Sequence, residues 1–331
     1  MRLAHYAAIA AGTLMLAGCG DRQGSIDAAT TLAEAVFPEQ LDVFDTQMMK
    51  GQYAVIFTRK GDPFSRIRLY VDHDPAKCRV GTHCEEQLRT AYANGTAAGA
   101  KLKAMAQTLP SCGIAILGVD ASKLDPSFRT DIELDMDRAD QQPALDRLAR
   151  CIAAFRAALP DDATPEQRAL SLGILLPRPG KAAVPDSAPS FEKSVDRSRM
   201  DEPQYLTFVG PEETQLTPGA LRLHPRHLLR PEMRDRLAAL ARDVLSAQRQ
   251  PGHIQHHVEF HGTKLDPQRL DVLRTYVLAC SVHEPGKGLC RTDLAVRMRY
   301  DLRTGEVSET AILRDIRDDE GALRLQPLPG R

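Results

Sequence analysis

The chain of 331 residues has no tryptophan, and aromatic residues make up only 5% of it. That scarcity removes the stacking platforms on which sugar-binding and single-strand-binding surfaces depend. Neither charge is in excess: 43 Lys and Arg stand against 44 Asp and Glu, for a formal net charge of -1. The basic residues are spread evenly along the chain, which gives no basic face for nucleic acid and no polybasic segment beside an anionic membrane. No segment of the body of the chain approaches the roughly eighteen apolar residues of a membrane span. Also missing are a G-x-S-x-G elbow, a G-x-x-x-x-G-K-[ST] phosphate loop, a dinucleotide fingerprint and any C-x-x-C pair, so the local signatures of several enzyme classes and of structural zinc are excluded.

What is present begins with cysteine. Seven occur, and setting Cys19 aside leaves an even six. Six allow fifteen pairings, but their surroundings narrow the choice. Cys78 and Cys84 bracket a short polar loop, Cys280 and Cys290 bracket a turn containing Glu284-Pro285-Gly286, and Cys112 precedes the apolar run Ile114–Leu117. Cys151 shares a helical stripe with Leu148, Ile152 and Phe155. We therefore expect Cys78 to pair with Cys84, Cys112 with Cys151, and Cys280 with Cys290. The middle bridge closes the longest loop, for a stabilisation of about 3 to 4 kcal/mol in the chain-entropy account.

Apolar periodicity organises the rest. Asp27–Met49 carries helical spacing (Leu32, Val36, Leu41, Phe44, Met48) interrupted at Pro38, and Tyr53–Phe57 and Ile67–Val71 read as strands around a Gly61-Asp62-Pro63 turn. A long helix is expected from near Cys84 to Pro110, strands at 114–119 and 130–136, and a helix on Leu145, Leu148, Ile152, Phe155 and Leu159. From Pro160 to Pro203 the chain turns rich in Pro, Ala, Ser and Asp, with one apolar island at Leu170–Leu176. Beyond it come a strand at Tyr205–Val209, a helix opened by Pro231, a strand at Ile254–Phe260, an ambiguous segment at Arg269–Val282, and a hairpin from Leu294 to Leu313 turning at Leu302–Gly305. The pattern predicts an α+β protein: a signal segment 1–18, an α+β domain 19–159, a linker 160–204, a second α+β domain 205–322 and a tail 323–331, frayed from Gln326.

One local cluster could carry chemistry. In a strand over His253–His261, His253, Gln255, His257, Glu259 and His261 share one face. Neighbours on that face are about 6.6 Å apart, so His257 with Glu259, or Glu259 with His261, could share a metal, whereas His257 and His261 at about 13 Å could not without a bulge. His224, His227 or His283 would have to complete such a set. The alternative is a solvated polar face. Asp72-His73-Asp74, the Ser190-x-x-Lys193 spacing and Asn94-Gly95-Thr96 read as ordinary surface, linker and unused glycosylation sequence, and no cofactor is expected.

Leu16-Ala17-Gly18-Cys19 follows an alanine-rich apolar stretch of about ten residues, too short to span a bilayer. It resembles the lipobox of bacterial lipoproteins. The resemblance implies cleavage before Cys19, lipidation of that residue and an anchor in the outer membrane facing the periplasm, since Gly20 follows the cysteine. The layout is similar to that of immunity lipoproteins. The expected role is non-catalytic binding of a protein partner, in toxin neutralisation or envelope maintenance. A metal-dependent hydrolase on His257, Glu259 and His261 is the alternative.

Overall fold

The computed structural model describes residues 22–328 except 73, 121–123, 179–198, 200–201, 229, 250–251, 253, 255–259 and 282–291. The protein is α+β and divides into two compact units, Met1–Lys103 with Ala121–Phe128, and Ala104–Asp120 with Arg129–Arg331.

In the first unit, α1 (Arg22–Val36) is followed by β1 (Leu41–Met49), β2 (Gln52–Arg59) and β3 (Asp62–Asp72), an antiparallel meander in the order β1-β2-β3. Its two hairpin loops are Lys50-Gly51 and Lys60-Gly61, and both glycines have positive φ, 87° and 74°. Gly supplies that conformation without a Cβ clash. The helical spacing expected through Met49 therefore ends at Val36, and Leu41–Met49 is a strand instead. Pairing with β2 overrides the period, and a β-bulge at Phe44 lets Val43 and Asp45 both keep their partners.

The long α2 (His83–Thr108) packs its first half on this sheet, with Leu88 joining Leu32, Val55, Phe57, Ile67 and Leu69 in the core. Gly95 and Gly99 set the approach. A Cβ on Gly95 would collide with the Arg66 carbonyl, and one on Gly99 would lie 2.9 Å from Ser65 Cα. Phe37 stacks on Tyr92 at 4.0 Å, and the Cys78–Cys84 disulfide, Cα–Cα 5.0 Å, joins the same core.

The second unit contains two sheets. The five-stranded one runs β4 (Ala115–Val119), β5 (Arg129–Glu133), β6 (Leu170–Leu175), β7 (Gln204–Val209), β8 (Arg222–Leu223), with β5 and β6 parallel and the other pairs antiparallel. Between β5 and β6 lie α3 (Gln142–Ala157) and the short α4 (Pro165–Arg168), whose N-terminus is closed by a capping box of Thr164 and Gln167. α3 buries Leu145, Leu148, Cys151, Ile152 and Phe155, and Cys151 is bridged to Cys112 with Cα–Cα 6.1 Å. Both bridges follow the pairing expected from local context. Cys280, 1% exposed, is also disulfide-bonded, while Cys290 lies outside the described residues.

The expected linker over 160–204 does not divide the chain. Its apolar island is β6, held between β5 and β7, so strands on both sides of it share one hydrogen-bonded sheet.

After α5 (Pro225–Leu228) and α6 (Pro231–Ala247), the four-stranded antiparallel sheet runs β12-β11-β10-β9, from β9 (Phe260–Leu265), β10 (Val272–Ala279), β11 (Leu294–Asp301) and β12 (Val307–Arg314). The ambiguous Arg269–Val282 segment is thus the strand β10. α6 lies against β10, β11 and β12 and buries Leu237, Ala238, Ala241 and Leu245. The tail, expected to fray from Gln326, is instead packed as far as Leu328: Leu328 joins Leu323, Leu325, Tyr276, Leu278, Ala295 and Ile316, and Tyr276 Oη donates to the Gln326 carbonyl at 3.0 Å. A frayed segment is polar throughout, whereas this one places a leucine at each packing position.

Candidate functional site

The charged half of the four-stranded sheet is the candidate site. Antiparallel register sets Lys264 opposite Arg274 and Arg274 opposite Arg299. Like charges directly opposed destabilise a sheet unless an anion lies between them. Two carboxylates do so here. Asp266, its side chain 2% exposed, accepts from Arg274 Nε at 2.9 Å and lies 3.4 Å from Arg299 Nε. The second contact is an ion pair without hydrogen-bond alignment, since Arg299 Nε has no hydrogen-bond acceptor. Burial pushes the Asp266 carboxyl up, but the Gln268 amide and the two guanidinium groups outweigh it and hold the group below the usual carboxylate range.

Glu309 is the second carboxylate. Its Oε1 accepts from Arg299 Nη1 at 3.1 Å and its Oε2 lies 3.6 Å from Arg274 Nη1. It reaches them from an unusual backbone: the register shifts between Arg297 and Arg299, so Glu309 and Thr310 together face Met298, and Glu309 has φ 50°. A non-glycine residue in that region is strained and marks a position over-determined by its surroundings. Beside it is a cavity of about 110 Å³ lined by Arg274, Arg297, Met298, Arg299, Glu309 and Leu328. The Arg297 side chain is exposed and makes neither a hydrogen bond nor an ion pair with any described residue.

A contrasting ionic region lies on the five-stranded sheet. Arg199 donates to Glu133, to Glu202 at 2.9 Å and to the Leu176 carbonyl at 2.7 Å, with both Arg199 and Glu133 7% exposed. Asp131 accepts from Arg129 on its own strand at 3.1 Å and, across Gly173, from Gln204 at 2.6 Å, a crossing that a Cβ on Gly173 would block. Burial raises the Asp131 carboxyl, partly opposed by Arg129. His224 is pushed down to about 4 by burial and then by Arg226 and Arg129, and both of its ring nitrogens face N–H donors, at 3.1 Å from Arg226 N and 3.3 Å from Arg129. The ring is therefore neutral, with one proton, because a second would meet an N–H donor and not an acceptor.

Of the expected metal set, His261 lies on β9 opposite Tyr276, exposed, and His257 and Glu259 lie outside the described residues, as does His283. His224 and His227 pack edge to face at 6.4 Å and accept N–H donors of the sheet connections. Among the described residues no three His, Cys, Asp or Glu side chains converge as a metal set. Asp72 and Asp74 flank Lys77 at 3.6 and 3.9 Å, His73 and Ser190–Lys193 are outside the described residues, and Asn94–Thr96 sit within α2. The arginine basin escaped sequence reading because its members alternate outward on separate strands. Their pattern signals solvent, and register alone gathers them.

A further exposed feature belongs to the first unit. The edge strand β1 presents Val43, Phe44, Met48 and Met49, with Met48 77% exposed, and the Arg66 guanidinium covers one side of the Phe44 ring at 3.9 Å. No protein-family profile, characterised protein or solved structure significantly matches this chain.

Proposed function

We propose that this chain is a lipid-anchored protein of the bacterial envelope that acts by binding a protein partner along β1, without catalysis. The observation that carries the reading is the exposed apolar edge strand: Val43, Phe44, Met48 and Met49 stand on a strand that, among the described residues, has a neighbour on one side only. Such edges are templates for strand addition, in which backbone groups give affinity and the flanking side chains give choice of partner. The lipobox at Leu16–Cys19 supports attachment at the outer membrane through Cys19, and the Cys78–Cys84 and Cys112–Cys151 disulfides are in keeping with an oxidising periplasm.

The test is affinity capture with residues 20–331 against periplasmic proteins and the products of neighbouring secreted-protein genes. Wild-type protein is expected to retain a stoichiometric partner that Val43→Lys with Met48→Lys loses while keeping its melting temperature. Retention by the double variant would remove β1 from the interaction. Near-stoichiometric zinc, with hydrolytic turnover abolished by changing His257 and His261, would replace the binding reading by a metal-dependent hydrolase. For the anchor, Cys19→Ala is expected to move the protein from the membrane to the soluble periplasm.

A further inference from the structure

The basin on the four-stranded sheet holds more positive charge than its own carboxylates engage. Arg274 and Arg299 share Asp266 and Glu309, while Arg297, on the same face two residues along β11, has no partner among the described residues and lines the cavity. Glu309 is the least secured member. Its side chain is 51% exposed, it is the extra residue of a bulge, and it occupies its place at φ 50°. Asp266, at 2% exposure and tied also by the Gln268 amide at 3.0 Å, is the fixed member.

A carboxylate delivered from a strained, half-exposed position between two guanidinium groups behaves as a resident stand-in for an outside oxyanion. Guanidinium forks match the paired oxygens of phosphate and carboxylate alike. A phosphate dianion has the further oxygen that Arg297 lacks as a partner, and the second negative charge that offsets three guanidinium groups. The cavity of about 110 Å³ is below the roughly 300 Å³ at which whole small-molecule pockets begin. It therefore suits one phosphate group, with the remainder of the ligand outside.

We propose that the Arg274–Arg297–Arg299 basin binds the phosphate group of a ligand, and that Glu309 is the internal occupant the phosphate displaces. The same chemistry is offered by a soluble phosphate ester and by a phospholipid headgroup. This inference is independent of partner binding at β1.

The experiment is calorimetric titration of the full-length protein in detergent with inorganic phosphate, for wild type, Arg297→Gln and Glu309→Gln. In parallel, the Cys19→Ala protein is floated with vesicles of phosphatidylglycerol or of phosphatidylcholine. Arg297 has no side-chain partner to lose among the described residues, so its variant keeps the fold, and unchanged melting temperatures verify this. Loss of one charge-assisted contact should weaken phosphate binding about tenfold in Arg297→Gln, and removing the competing carboxylate should tighten it several-fold in Glu309→Gln. Binding of free phosphate with this pattern assigns a soluble source. Flotation with phosphatidylglycerol alone, weakened by Arg297→Gln and strengthened by Glu309→Gln, assigns a headgroup. Absence of both, or binding that neither substitution alters, overturns the proposal.

Discussion

Two faces of the second unit solve the same electrostatic problem in opposite ways. On the five-stranded sheet the ions are sealed: Arg199 satisfies its donors on Glu133, Glu202 and Leu176, Asp131 is raised by burial, and His224 is kept neutral. On the four-stranded sheet they are open: Glu309 is half exposed, Arg297 is unengaged among the described residues, and a cavity adjoins them. Sealed ions specify a structure because none can leave without stranding its partner, at a desolvation cost that exceeds what the pair contributes. Open ions contribute little stability and are free to exchange partners with solutes. A network can thus be sorted into scaffold or site by asking which of its members could depart unharmed.

The comparison fails if the two faces respond alike to loss of charge. The largest expected effect is on the sealed side: Glu133→Gln, leaving the buried Arg199 with the more exposed Glu202 as its remaining counter-charge, should destabilise by about 3 kcal/mol in urea unfolding, while Glu133→Leu with Arg199→Met should recover most of that. Next, Gly173→Ala places a methyl group where Asp131 and Gln204 meet. Overpacking of this kind should lower stability by about 1 to 3 kcal/mol.

A third expectation carries the sealing argument to the first unit, where Lys101 is 1% exposed, donates to the Pro126 carbonyl at 2.5 Å, and is pushed down by burial to about 8. Below pH 8 the folded and unfolded states both hold the proton. Between about 8 and the ordinary 10.5 the unfolded state alone holds it, so stability rises across that window. Lys101→Met should remove this rise and stabilise the protein by about 2 kcal/mol at pH 7, as read from urea unfolding at successive pH values. The smallest effect belongs to the open side. Arg297→Gln should shift stability by no more than about 0.5 kcal/mol, whereas Glu309→Gly should stabilise by about 1 kcal/mol through relief of the positive φ. A loss above 2 kcal/mol from either would place the basin among the sealed networks.

Much of the fold is written in local periodicity. β2, β3, β11, β12, α3 and α6 fall where Tyr53–Phe57, Ile67–Val71, Leu294–Tyr300, Val307–Leu313, Leu145–Phe155 and Met233–Val244 place their apolar residues, because each buries one face against a core. β1 departs from its helical period, in which Leu41, Phe44 and Met48 fall into line, because an edge strand need not alternate. The Lys50-Gly51 loop was the available contrary signal. β6 was hidden by the Pro- and Ala-rich composition around it. The basin was hidden for a deeper reason: Arg274, Arg299 and Glu309 become neighbours only through the register of three strands and a bulge, and no spacing along the chain encodes that. The buried charges of the other sheet share this origin, since Asp131 meets Gln204 across an intervening strand.

The two hairpin loops of the first unit have a consequence in time. Lys50-Gly51 and Lys60-Gly61 join strands that are adjacent in sequence, and hairpins of this kind zip within about 1 to 10 μs. The mixed sheet must wait for more distant encounters, because β5 pairs in parallel with β6 only after α3 and α4 have been threaded between them. Pulsed hydrogen exchange during refolding should therefore protect the amides of β2 before those of β6. The strand offered to a partner is on display while the ionic faces are still being assembled.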